Sequence, residues 1–153
     1  MFGAFKRMAG AVAGSITREV KAEYGESKDF LEAVCAGAAL VAYADGELEE
    51  AERKAIVALI QNNPTLGKIY QSAQIEQVAA DMFRRAQSAS GRQGLARELD
   101  DLKGRPNAAQ MADDVYLICL DIANADGELE AEEEVVLKKL ASRLGVDPSK
   151  FDF

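Results

Sequence analysis

The sequence predicts an all-α fold: a single-domain bundle of about seven helices, built on a duplicated helix–acidic turn–helix unit with pseudo-twofold symmetry. Three observations lead there. Apolar residues recur at steps of three and four along the chain, and no stretch alternates apolar with polar residues long enough for a half-buried strand. Only three prolines interrupt the 153 residues. Finally, Ala44-Asp45-Gly46-Glu47-Leu48-Glu49 returns residue for residue as Ala125-Asp126-Gly127-Glu128-Leu129-Glu130, 81 positions later. The likeness spreads outward, since Phe30, Val34, Val41 and Ala42 answer to Met111, Val115, Ile122 and Ala123. Beyond the turns Glu52, Ile56 and Leu59 answer to Glu133, Leu137 and Leu140. A match of this length at one offset marks a repeated supersecondary unit.

The first element, residues 1–24, reads as an amphipathic helix. Phe2, Phe5, Met8, Val12, Ile16 and Val20 form one stripe, with Lys6, Arg7, Arg18 and Lys21 off it. Its apolar run is too short and too broken by glycine for a signal peptide, and no span approaches membrane length. Two readings stand: a helix docked on the core, or a cationic surface for a partner or for the inner face of a membrane. Repeat one spans residues 27–63. Ser27 is the expected N-cap of a central helix reaching Tyr43, and Gly46 takes the positive φ of the helix exit. A second helix follows from about Glu50 to Gln61, with Ile56, Leu59 and Ile60 inward, until Asn62-Asn63-Pro64 ends it.

A helical insert occupies residues 64–105. Leu66, Ile69 and Tyr70 suggest a short helix. Ile75, Val78, Ala79, Met82 and Phe83 mark a longer one, which Ser90-Gly91 is expected to break. Leu95, Leu99 and Leu102 mark a third. The insert's Arg84, Arg85, Arg92, Arg97, Lys103 and Arg105 read as a solvated basic face. Repeat two, residues 106–145, holds a helix from about Asn107 to Asn124 and another from Ala131 to Leu144, closed by Gly145. Asp147-Pro148 then opens a last turn from which Phe151 can pack back.

The formal charge of −8 argues against nucleic acid as a partner, because phosphates need Lys and Arg. Eleven of the 26 acids lie in two short stretches, Asp45 to Glu52 and Asp126 to Glu134, neither of which contains a basic residue. Cys35 and Cys119 sit in apolar runs and read as buried, reduced thiols, which suits a cytoplasmic protein. With no histidine, no nucleophile motif and no glycine-rich phosphate loop, an enzyme is not expected.

The acidic turns carry the back half of a calcium-binding EF-hand loop twice. With Gly46 at position six, Asp45 falls at five, Leu48 at eight and Glu52 at twelve; Gly127 does the same for Asp126, Leu129 and Glu133. The front half is missing, since positions one and three hold Val41 and Tyr43, then Ile122 and Asn124. Two readings follow. Glu49 with Glu52, and Glu130 with Glu133, have the spacing of capping boxes, in which case the acids only start helices. Alternatively the two turns meet, and Asp45, Glu49, Glu52, Asp126, Glu130 and Glu133 share a cation that offsets their repulsion. All-oxygen donors favour Ca²⁺ over Mg²⁺ or Mn²⁺, and any of these over Zn²⁺ or Cu²⁺.

These turns resemble the TerB family of bacterial tellurite-resistance and stress-response proteins. The shared signature is an Ala-Asp-Gly turn, an apolar residue two further on and a glutamate seven after the aspartate, occurring twice: Ala44, Asp45, Gly46, Leu48, Glu52 and Ala125, Asp126, Gly127, Leu129, Glu133. The resemblance covers the chain almost end to end. It implies an all-helical, non-enzymatic, cytoplasmic component of the tellurite-resistance system with a metal site at the acidic turns. It also implies partnership with the membrane protein TerC and with calcium-binding TerD-type proteins. Family members often carry Ser or Thr four after the aspartate, where this chain has Glu49 and Glu130. The expectation is an interaction protein with an acidic cation site; the alternative is a structural adaptor whose turns are caps and bind no metal.

Overall fold

A computed structural model of the chain describes Tyr24, residues 28–125 and residues 127–152. The expected N-terminal helix with Lys6, Arg7, Arg18 and Lys21, the expected cap Ser27, and Asp126 all lie outside the described residues. Within them the fold is all-α. Seven helices follow in order: α1 (Asp29–Ala42), α2 (Glu50–Gln61), α3 (Pro64–Gly67), α4 (Ser72–Arg85), α5 (Ala89–Asp100), α6 (Ala108–Ala123) and α7 (Ala131–Leu144). A single 3-10 turn (Pro148–Phe151) closes the chain. No described helix is long and apolar enough to cross a membrane.

Helix α1 is the axis of the molecule. Ten of its 14 residues are buried, because α6, α4, α5 and α7 surround it. A helix hydrophobic on nearly every side can only be a core helix. Its partner α6 runs parallel to it: Cys119 Sγ donates to the Val34 carbonyl at 3.5 Å, and both helices end at the acidic turns. Gly37 permits this closeness, since a Cβ there would stand 2.8 Å from Cys119 Sγ and 3.3 Å from a Leu140 methyl. Helix α1 begins after Lys28, whose side chain makes no cap bond.

The insert departs from expectation at one glycine. Ser90-Gly91 does not break a helix; both residues lie inside α5, whose N-cap is Ser88, with Oγ accepting the Gly91 N–H at 3.0 Å. Gly91 is required for clearance, because a Cβ there would fall 1.7 Å from the Arg85 carbonyl oxygen. Nor are the insert's cations simply solvated. Arg85 pairs with Glu98 at 3.0 Å, Arg84 with Asp81, Lys103 with Asp100 at 3.6 Å, and Arg105 Nε with Asp29 at 3.0 Å. Asn63 accepts the Leu66 N–H at 3.0 Å and so caps α3, with Pro64 as its first residue.

Tyr24 belongs to the core. This residue is buried, its ring lies 4.6 Å from that of Phe30, and its carbonyl accepts the Tyr70 hydroxyl at 2.8 Å. At the other end, Asp147 caps the closing turn and Phe151 stacks on Tyr116 with centroids 6.2 Å apart.

Candidate functional site: an acid-rimmed cleft between two turns

Each acidic turn follows the same hydrogen-bonded path. Gly46 donates to the Tyr43 carbonyl and Gly127 to that of Asn124, both at 2.9 Å. The two glycines take φ of 90° and 86°, a left-handed conformation that L side chains resist. The chain then extends through Glu49 (ψ 153°) and Glu130 (ψ 156°) into α2 and α7.

Between the turns lies a cleft of about 270 Å³. Positions related by the 81-residue offset line it in pairs: Ala38 with Cys119, Val41 with Ile122, Ala42 with Ala123, Ala44 with Ala125, and Glu52 with Glu133. Both turns therefore contribute to one concavity. Asp45, Glu47, Glu52, Glu130 and Glu133 add carboxylates to the lining, and none of the described lining residues is Lys or Arg.

The cleft is open because α2 and α7 pack differently. Helix α7 lies on α6, α1 and α5 and buries Leu137 and Leu140. Helix α2 packs chiefly on α4 and only lightly on α1. Its Ile56 is half-buried, and Leu59, expected to face inward, is 43% exposed. Together with Leu48 and Ala55 they form an apolar wall of the cleft.

Four of the six expected acids, Asp45, Glu52, Glu130 and Glu133, line this cleft. Glu49 stands exposed at the N-cap position of α2, where its side chain makes no cap bond, and is not part of the described lining; Asp126 lies outside the described residues. Asp45 Oδ1 accepts the Glu47 N–H at 3.1 Å, an Asx turn that holds the loop. Glu133 Oε1 accepts the Glu130 N–H at 2.9 Å, the reciprocal bond of a capping box; among the described residues Glu52 makes no such bond. No three of the described carboxylates or thiols come close enough together to enclose an ion. The donors are spread around the opening, so shared coordination requires side-chain rotation.

Asn124, at position three of the EF-hand pattern, is buried with Nδ2 donating 3.0 Å to the Leu120 carbonyl, so it finishes α6 and does not face the loop. Neither thiol adds a soft ligand, because burial raises both pKa values, that of Cys119 to about 12.

The model of a family described as "Tellurite resistance protein TerB" matches residues 31–153. The chain belongs to the TerB family. No curated protein and no solved structure matches it. In this TerB chain the matched region includes both turns and every described residue that lines the cleft.

Two contributors escaped the sequence reading. Glu47 repeats as Glu128 and was legible as part of the duplicated hexapeptide, but the EF-hand comparison gave it no position. Cys119 reaches the lining because α1 and α6 approach over Gly37, a closeness that no pattern in the TerB signature encodes.

Proposed function

We propose that this TerB chain is a non-enzymatic interaction module of the tellurite-resistance response, with the acid-rimmed cleft as its recognition face. Its turns take up a hard divalent cation, Ca²⁺ in preference to Mg²⁺ or Mn²⁺. One observation carries the reading: two turns 81 residues apart in sequence deliver carboxylates to a single cleft whose described lining residues include no Lys or Arg. Carboxylate oxygens suit a hard ion, and like charges gathered at one opening repel unless a cation joins them. A bound ion would tie α2 to α7 and set the width of the cleft, so partner binding would follow cation occupancy. TerC and TerD-type proteins are the partners that the family likeness suggests.

Calcium titration during thermal melting tests this. A specific site raises the midpoint saturably, and Asp45→Asn with Asp126→Asn abolishes the rise. A wild-type melt indifferent to millimolar calcium removes the cation and leaves the adaptor reading. That second reading draws on the Glu130–Glu133 bond, which shows at least one of these acids already occupied in starting a helix.

A further inference from the structure

We infer that Tyr24 is an acid-locked latch on the bundle: its side chain covers the carboxyl of Asp114, stays seated in acid, and leaves its seat more readily as pH rises toward neutrality. The latch is independent of any cation at the acidic turns, which follow the C-terminal ends of α1 and α6.

Three parts of the chain build the seat. The Tyr24 ring lies 4.6 Å from that of Phe30 at the start of α1, and its hydroxyl donates to Asp114 Oδ2 on α6 at 2.7 Å. Its carbonyl accepts the hydroxyl of Tyr70, just ahead of α4, at 2.8 Å. Tyr24, Phe30, Tyr70 and Asp114 are all buried.

A carboxylate is tolerated away from water only when charged or several polar partners offset its lost hydration. Among the described residues Asp114 has one partner, the Tyr24 hydroxyl, and no Lys or Arg pairs with it. Charges on the surrounding elements are engaged elsewhere. Asp113, its neighbour on α6, is held by Lys150 of the closing turn at 2.6 Å and adds repulsion. On α1, Asp29 pairs with Arg105, and Glu32 interacts with Lys28 and with Glu98 and Asp101. Arg143 of α7 holds Asp100, and Arg53 of α2 holds Glu50. Burial accordingly raises the Asp114 carboxyl to about 6, against the opposing pull of the Tyr24 bond.

Linkage turns this seat into a switch. Once Tyr24 withdraws, water reaches Asp114 and the carboxyl returns to its ordinary range near 4. The seated state therefore has the raised pKa, so its advantage is complete below about pH 4 and is lost as pH climbs through 6. A difference of about two pH units makes seating roughly 100-fold less favourable at pH 7 than at pH 3.

Carboxyl NMR titration of Asp114 in the full-length chain tests this, with two substitutions that separate cover from hydrogen bond. Tyr24→Phe keeps the cover and deletes the hydroxyl, so Asp114 should titrate above its wild-type value. Tyr24→Ala removes the cover, so Asp114 should fall toward 4, the 100-fold change in seating read directly. Should Tyr24→Ala fail to fold, the direction of the shift in Tyr24→Phe decides alone. The inference is overturned if wild-type Asp114 already titrates near 4, or if Tyr24→Phe leaves its titration unmoved or lowers it. It is equally overturned if folded Tyr24→Ala leaves Asp114 at or above the wild-type value, because something other than Tyr24 then keeps water from the carboxyl.

Discussion

The Tyr24 hydroxyl donates to Asp114 Oδ2 at 2.7 Å across 90 residues of chain, and both side chains are sealed inside the bundle. Burial raises the Asp114 carboxyl to about pH 6, the Tyr24 bond opposes that rise, and the neighbouring Asp113 carboxylate, itself held by Lys150, adds to it. The folded pKa thus lies above the unfolded one. The group's stabilising contribution is complete below about pH 4 and is lost as pH climbs through 6. At neutral pH the buried charge costs on the order of 2–3 kcal/mol. Asp114→Asn keeps an oxygen for Tyr24 and removes that charge. Its melting midpoint should exceed the wild type's by several degrees at pH 7.5, with the gap narrowing as pH falls through 6 and closed only below about pH 4. A gap of equal size at both pH values would point to some other cause.

Leu59 and Leu140 occupy the same position in the two repeats but not the same environment: 43% exposed against 3%. Truncating a buried leucine removes its transfer energy and leaves a cavity, typically 2–5 kcal/mol. Leu140→Ala should fall in that range. Leu59→Ala should cost less than about 1 kcal/mol, as most surface changes do, when both are read from urea midpoints.

That contrast also marks the limit of what the sequence discloses. The spacing of Ile56, Leu59 and Ile60 predicts a helix, and α2 runs from Glu50 to Gln61 as anticipated. It does not say how far that helix stands from α1, because the same apolar stripe serves a closed or a splayed hairpin. The duplication foretold that the turns would share a backbone path, and Gly46 and Gly127 repeat their φ to within a few degrees. Gly91 misled because a glycine demanded by clearance looks in sequence like one that ends a helix. Among the acids, local spacing identified Glu133 as a cap partner, yet could not foresee that Glu52 makes no matching bond.

Gly37 sits where α1, α6 and α7 meet, and its missing side chain is the space that Cys119 and Leu140 fill. Overfilling a packed site forces rotamers and backbone to shift, at about 1–3 kcal/mol. Gly37→Val should lower the urea midpoint by that amount with the slope of the transition unchanged.

The thiols of Cys35 and Cys119 are buried, and burial disfavours their ionisation, so the nucleophilic thiolate is scarce at pH 8. Neither should react with an aromatic disulfide reagent in the native protein. Two equivalents should react once urea unfolds it, and the slow native rate should follow the opening equilibrium. Prompt native labelling of one thiol would mean that the cleft opens down to Cys119.

Glu52 and Glu133 separate the capping reading from the cation reading, because the repeats place them alike and only Glu133 bonds a helix-start amide. If the acids serve only as caps, Glu133→Ala should cost about 1 kcal/mol, in the range of lost helix caps, and Glu52→Ala almost nothing. Neither should then alter a calcium response, since there would be none. If the turns share a cation, each substitution removes one ligand from the same cleft. Both should weaken the calcium-dependent rise in melting midpoint to a similar degree, on top of their unequal effects without calcium. Measuring the two variants with and without calcium therefore isolates coordination from helix starting. A calcium response lost in Glu133→Ala but intact in Glu52→Ala would place the ion on the second turn alone, and the shared site would be wrong.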